Sequence, residues 1–238
     1  MIKKIALLCF VVTLSACTAR SLSDANFSEG ESAFHNGNYK IAYDHLFPHA
    51  EAGSPQAQFY IGAMYFDGKG VTQDYGKALT WLKKSADLGD AYAQNNLGSM
   101  YYYGLGVVVN TKTAVEWYRK AAEQRHASAQ FNLGLAYFNG RGIEQDREEA
   151  FKWMERSAKQ GSAISQSFLG GMYANGEGVA QNDVSAFVWF TMSKSNGGDP
   201  KASDGLKMIV TRMSDANIEK ANNLVKKCKA SNYQVCVS

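Results

Sequence analysis

Few side chains in this chain are spaced to do chemistry. His45 and His49 stand four residues apart, which sets both imidazoles on one face of a helix, and His35 lies just before them across a turn. That spacing can ligate a metal, but a structural or catalytic zinc asks for three or four protein ligands. No carboxylate or cysteine completes the set in the sequence pattern. The three histidines therefore read as exposed groups on a terminal helix, and no metal is expected. His126, at the start of the third segment, reads as surface. Paired glycines (Gly68/Gly70, Gly104/Gly106, Gly140/Gly142, Gly176/Gly178) superficially suggest phosphate cradles. A phosphate loop needs a preceding strand and a following Gly-Lys-Ser/Thr, and neither is present. Ser-x-x-Lys and Gly-x-Ser-x-Gly are also absent, so no nucleophile is set up for acyl transfer. No catalytic residue and no cofactor follows from the sequence.

The elements that could carry a function must therefore be sought in the chain's organisation. Lys3 and Lys4 precede a short apolar run, Ile5 to Leu14, too short to span a bilayer. Leu14-Ser15-Ala16-Cys17 then resembles a bacterial lipobox. That resemblance implies a signal peptide over residues 1–16 and a lipid on Cys17, the first residue of the mature protein. Thr18, rather than Asp, follows the cysteine, which by the same sorting rule implies the outer membrane, with the domain facing the periplasm. Residues 17–25 are then the lipidated cysteine and a small polar tether. Without residues 1–16 the chain keeps 23 basic against 22 acidic side chains. A near-neutral surface without a basic, aromatic-interleaved run argues against nucleic acid as a partner. An exported chain permits disulfides. Cys228 and Cys236, eight residues apart, are expected to pair. Two unpaired thiols on a frayed tail are the alternative.

Residues 53–196 divide without gaps into four segments of 36 residues, with seven columns identical in all four. A fixed period of this size predicts a stacked-repeat architecture. Each segment reads helix, glycine loop, helix. Ser54-Pro55, Asp90 and Ser162 are placed to cap the first helices, and Asp74, Asn110, Asp146 and Asn182 the second. Gly62, Gly98, Gly134 and Gly170 recur inside the first helix. Each costs about 1 kcal/mol against Ala, so four in register predict close helix–helix contact. The Gln58, Gln94, Gln130, Gln166 column reads as buried amides bonded to neighbouring backbone, and the Tyr65, Tyr101, Tyr137, Tyr173 column as core. Ala78 and Trp81, with their equivalents to Trp189, share a face and are expected to wedge into the neighbouring hairpin. Residues 26–52 fit a degenerate first repeat with helices near 24–36 and 39–51. Residues 197–238 fit a helical cap, with helices near 202–212 and 215–229 pinned by Cys228–Cys236.

The unit Ala-x-Ala-Gln-x-x-Leu-Gly-x-x-Tyr-x-x-Gly-x-Gly-Val, followed by Ala-x-x-Trp and Ala-Ala, resembles the Sel-1-like repeat family, relatives of tetratricopeptide repeats. The resemblance implies an all-α, right-handed α/α superhelical solenoid whose first helices line a concave face. It implies a non-enzymatic adaptor that binds a protein or peptide. Cysteine-rich relatives imply a second function, penicillin binding or weak β-lactamase activity. Those relatives carry a disulfide in each repeat, whereas this chain has no cysteine between Cys17 and Cys228.

Identical columns are accounted for by packing, caps and turns. Binding is sought in the columns that vary. On each first helix the fourth, eighth, eleventh and fifteenth positions share one face. The middle of that stripe is Tyr92, Asn96, Tyr103, Asn132 and Asn139. Tyr offers rigid contact area, and Asn offers donor and acceptor to a peptide backbone. These five are the candidate groove residues.

Overall fold

The computed structural model describes residues 26–198 and 200–237. The expected signal peptide, Cys17 and the expected tether lie outside the described residues. Among the described residues there are twelve helices and no strand. They are α1 (26–35), α2 (Tyr39–Glu51), α3 (Pro55–Asp67), α4 (Tyr75–Asp87), α5 (Ala91–Tyr103), α6 (Thr111–Glu123), α7 (Ala127–Asn139), α8 (Arg147–Ala158), α9 (Ala163–Asn175), α10 (Asp183–Ser195), α11 (Pro200–Val210) and α12 (Asp215–Ala230). They form two compact units, one up to Ala93 and one from Gln94 onward. In each, helix hairpins follow one another, as a repeat solenoid requires.

Local chemistry sets the hairpins. The carboxylate or amide oxygen of Asp74, Asn110, Asp146 and Asn182 accepts from the backbone N–H three residues on, at 3.0, 3.1, 2.9 and 3.0 Å. Ser54, Asp90 and Ser162 cap the first helices in the same way. The first helices α3, α7 and α9 stop at Gly68, Gly140 and Gly176, all left-handed, which a residue with a Cβ resists. The second glycine of the loop has a different reason. A Cβ on Gly70 would fall 2.7 Å from Tyr39 Cβ, and one on Gly142 or Gly178 would overlap the Thr111 or Arg147 carbonyl. These three loops lie directly on the first turn of the preceding second helix. Chain reversal at the first glycine and seating on the preceding helix at the second account for the Gly-x-Gly pair.

The interior glycines behave as expected. A Cβ at Gly62, Gly98 or Gly170 would come within 2.7 Å of Leu82, Tyr118 or Phe190. Gly30 meets Leu46 in the same way, so the degenerate first hairpin keeps the repeat's packing. Phe190 is clasped from its other side by Gly205 of α11. The α11–α12 hairpin thus closes the second unit as a shortened repeat. Ala221, Leu224 and Cys228 of α12 are buried, and Cys228 and Cys236 form a disulfide with Cα atoms 4.4 Å apart.

A polar ladder joins successive hairpins. Gln58, Gln130 and Gln166 donate to the carbonyls of Ala50, Ala122 and Ala158 at 3.1, 3.1 and 3.0 Å. The Gln94, Gln130 and Gln166 side-chain oxygens accept in turn from Gln124, Gln160 and Asn196. Ser85, Ser157 and Ser193 add hydroxyl bonds to the carbonyls of Pro55, Ala127 and Ala163. Ser165, the fourth repeat's substitute for Ala, is absorbed by bonding Ser157 and Ser162.

Two expected core columns are less buried than their conservation of type suggested. Trp189 is fully buried and Trp153 nearly so, but Trp81 and Trp117 are only half-buried. The residues after the tryptophans, Leu82, Tyr118, Met154 and Phe190, fill the hairpin interiors instead. Lys84, Lys120 and Arg156 lie over the Trp81, Trp117 and Trp153 rings at 4.4, 3.9 and 4.4 Å. The tryptophan column is therefore a seam, covered partly by its own helix's cations. In the tyrosine column only Tyr173 is buried. Tyr65 bonds Tyr43, and Tyr137 accepts from Arg119, so their hydroxyls stay at the edge.

Candidate partner-binding face

The five groove candidates are not equivalent. Tyr92 belongs to the first unit. It is 60% exposed, and its ring leans on Phe59 with centroids 5.5 Å apart. In the same unit the stripe's Tyr60 is not groove lining. Its hydroxyl donates to Glu31 at 2.7 Å and meets His35 at 3.3 Å, and burial with the Glu31 bond pushes its pKa up. Helix α1 covers this part of the stripe.

In the second unit Tyr103 is 65% exposed, against the Tyr102 ring. Asn139 is exposed at the end of α7. Asn132 and Asn96 are half-buried and joined through a residue outside the stripe. Asn132 donates to Asn95 at 3.0 Å, and Asn95 approaches the Asn96 side-chain oxygen at 3.4 Å. The amides expected to clamp a peptide backbone are largely engaged with one another. Tyr118 below them donates to Ser99, and burial pushes its pKa up to about 12.

A hollow on this face lies further along. An open hollow of about 690 Å³ is lined by Phe131, Leu135 and Phe138 of α7, and by Ile164, Phe168 and Gly171 of α9, among others. Phe190 forms part of its floor, and Lys201 of α11 and Glu177 stand at its margin. Phe168 meets Phe131 and Phe138 edge-on, at 6.1 and 5.0 Å. Glu177 is held by Arg147 at 2.6 Å, and the guanidinium lies 4.8 Å over the Phe138 ring. Leu135, Ile164, Phe168 and Gly171 belong to the stripe read from the sequence, beyond the five residues at its middle. Phe131 and Phe138 were missed altogether. A signal for them exists in the columns. Where α7 has Phe131, Leu135 and Phe138, α9 has Ser167, Gly171 and Ala174, one face of three small residues. That step in side-chain volume makes the hollow.

The electrostatics of the two helix sets differ. Helices α5, α7 and α9 contain no Asp, Glu, Lys, Arg or His, whereas α6 and α8 carry many, and α8 forms ion pairs such as Lys152–Glu149. Ordinary soluble surfaces are about a quarter or more charged. Interface cores are depleted of charge and enriched in aromatics.

The histidines are scattered among separate partners. His45 sits 3.5 Å from Glu29, His49 packs edge-on to Phe27, and His35 meets Tyr60. Among the described residues no group of three or more His, Cys, Asp or Glu is gathered to hold a metal. His126 is not plain surface. Its Nδ1 accepts from Ala129 N–H at 3.2 Å and caps α7, and burial lowers its pKa. No described helix is long and apolar enough to cross a membrane.

Helix hairpins of fixed period, glycine loops seated on the preceding helix and a polar ladder between hairpins define an α-helical repeat protein. The Sel1 repeat model matches residues 55–90, 91–126, 127–162 and 163–198, and the chain belongs to the Sel1 repeat family. A protective antigen of uropathogenic Escherichia coli displaying an SLR fold is 31% identical, with a TM-score of 0.82. The match covers 93% of this chain and 49% of that one, so this chain spans about half its length. A Sel1 repeat protein of Oxalobacter formigenes is 34% identical over 76% of this chain and 74% of that chain, with a TM-score of 0.67. A Sel1 repeat protein of Klebsiella pneumoniae, 19% identical over 79% of this chain and 93% of that one with a TM-score of 0.54, shares the fold. No curated protein matches the chain.

Proposed function

We propose that the protein is a lipid-anchored adaptor of the bacterial cell envelope. It holds a partner protein on the first-helix face of its second unit. Sel1 repeat proteins generally mediate protein–protein interaction. The observation that carries the reading for this chain is the aromatic hollow between α7, α9 and α11, where Glu177 and Lys201 supply charge only at the margin. Burying one large apolar side chain there contributes about 1.5–3 kcal/mol, and a few such anchors dominate the energy of an interface. The anchor rests on Lys3, Lys4, the apolar run and Leu14-Ser15-Ala16-Cys17.

Co-purification from solubilised envelopes tests the adaptor reading. Ile164 is 51% exposed in the first turn of α9, where an acidic residue is tolerated by the helix. Ile164→Asp should release the wild-type partner while leaving the fold intact. Retention of every partner by a folded variant would remove the face from consideration. Labelled palmitate incorporated by the wild type and lost in Cys17→Ser tests the anchor separately.

A further inference from the structure

The hollow also indicates the form of its occupant. Resting on the adaptor reading, we infer that it takes the apolar face of an amphipathic helix from the partner protein. An extended segment would bring one unpaired N–H and one unpaired C=O per residue, and these need partners when buried. Among the residues that line the hollow there is no asparagine or glutamine to pair with such a backbone. Glu177 is bound by Arg147. Ser167 contributes one hydroxyl and Lys201 one ammonium, too few to pair with an extended backbone, and the rest of the lining is apolar. A helix satisfies its own backbone and presents only side chains, which is what such a wall can accept.

The spacing of the wall agrees. Phe131 and Phe138 stand seven residues apart on α7, as do Ile164 and Gly171 on α9. Seven residues are about 10.5 Å of helix, the same distance that separates i and i+7 anchors on a docked helix. Gly171 adds an independent argument. A Cβ placed there meets nothing within 4 Å, although one on the adjacent Gly170 would strike Phe190. A glycine inside a helix costs about 1 kcal/mol against Ala. At Gly170 close packing explains that cost. At Gly171 only the open space in front of it does.

The test uses the purified protein and phage-displayed random 16-residue peptides. Retained sequences are then synthesised and measured by fluorescence anisotropy against the wild type and Gly171→Leu. This variant projects a side chain into the hollow without a clash, and circular dichroism confirms that it folds. The expected result is peptides with apolar residues at i, i+3 or i+4, and i+7, helical when bound. They should bind Gly171→Leu at least ten-fold more weakly, with little dependence on salt. Proline-containing or alternating peptides that lose affinity in Gly171→Leu would overturn the helix while leaving the face in place. Retention of no peptide, or binding indifferent to both Gly171→Leu and Ile164→Asp, would overturn both readings. A wild type that dimerises while Gly171→Leu stays monomeric would make a second copy the occupant and overturn the partner helix.

Discussion

The polar ladder has one missing rung, and it can be restored. Gln124, Gln160 and Asn196 each donate to the buried glutamine of their own repeat, at 2.8, 2.7 and 2.9 Å. The equivalent residue in the first full repeat is Leu88. Gln58 is 5% exposed, and its side-chain oxygen has no hydrogen-bond partner among the described residues. Leu88 itself is 59% exposed, so replacing it forfeits little burial. A net hydrogen bond contributes about 0.5–1.5 kcal/mol, and a buried unsatisfied acceptor costs about 1–3 kcal/mol. Ordering a half-exposed glutamine takes back part of that. Leu88→Gln should therefore stabilise the protein by about 1 kcal/mol, with Leu88→Ala as the control that removes the leucine without supplying a donor. The mirror change, Gln160→Leu, strands the Gln130 oxygen and should cost about 1–3 kcal/mol. Urea unfolding reads both, and amide exchange near Ala50 should slow in Leu88→Gln. If Leu88→Gln is no more stable than Leu88→Ala, the ladder is not what couples these hairpins.

Four further outcomes follow from the same geometry. Arg125 adopts φ 67 where the other repeats place Gly53, Gly89, Gly161 and Gly197, so Arg125→Gly should raise stability by about 0.5–1 kcal/mol in urea melts. The adjacent glycines of α9 should respond with opposite signs. Gly171→Ala gains up to about 1 kcal/mol, and Gly170→Ala loses about 1–3 kcal/mol to overpacking against Phe190. His126 caps α7 only when its ring is neutral, and its folded pKa is lowered by burial. Its contribution is complete above the free imidazole value near 6.5 and is lost as pH falls through the lower folded value. His126→Ser keeps a cap at every pH, so the stability difference between the two proteins should be flat above pH 7 and should shift against wild type on acidification. Reducing Cys228–Cys236 should cost about 2–3 kcal/mol, read as a lower melting temperature that the Cys228→Ser/Cys236→Ser variant reproduces.

Features repeated in every segment were legible because four copies state each one. The caps at Asp74, Asn110, Asp146 and Asn182, the close glycines and the buried glutamines all follow from residue type and spacing. Legibility failed where the environment of a column changes along the stack. Trp81 and Trp189 share a column, yet one is half-buried and the other fully buried, because burial depends on what is stacked above. Asn132 read as an open clamp because its partner, Asn95, lies 37 residues away in sequence and on a different helix. His126 read as surface because capping by an imidazole nitrogen is rarer than capping by a hydroxyl or carboxylate. The hollow was readable in principle from the step between Phe131, Leu135, Phe138 and Ser167, Gly171, Ala174. It calls for comparing volumes between columns rather than identities within them.

The central claim is that partners meet the uncharged first-helix face. Site-specific photo-crosslinking in cells tests it most directly. A benzophenone amino acid is placed at Ile164 or Phe168 beside the hollow, and at Glu116 or Lys152 on the exposed faces of α6 and α8. The prediction is a discrete protein adduct from Ile164 and Phe168, undiminished in high salt, and none from Glu116 or Lys152. Adducts confined to Glu116 and Lys152 would contradict it and move the binding surface to the charged second helices.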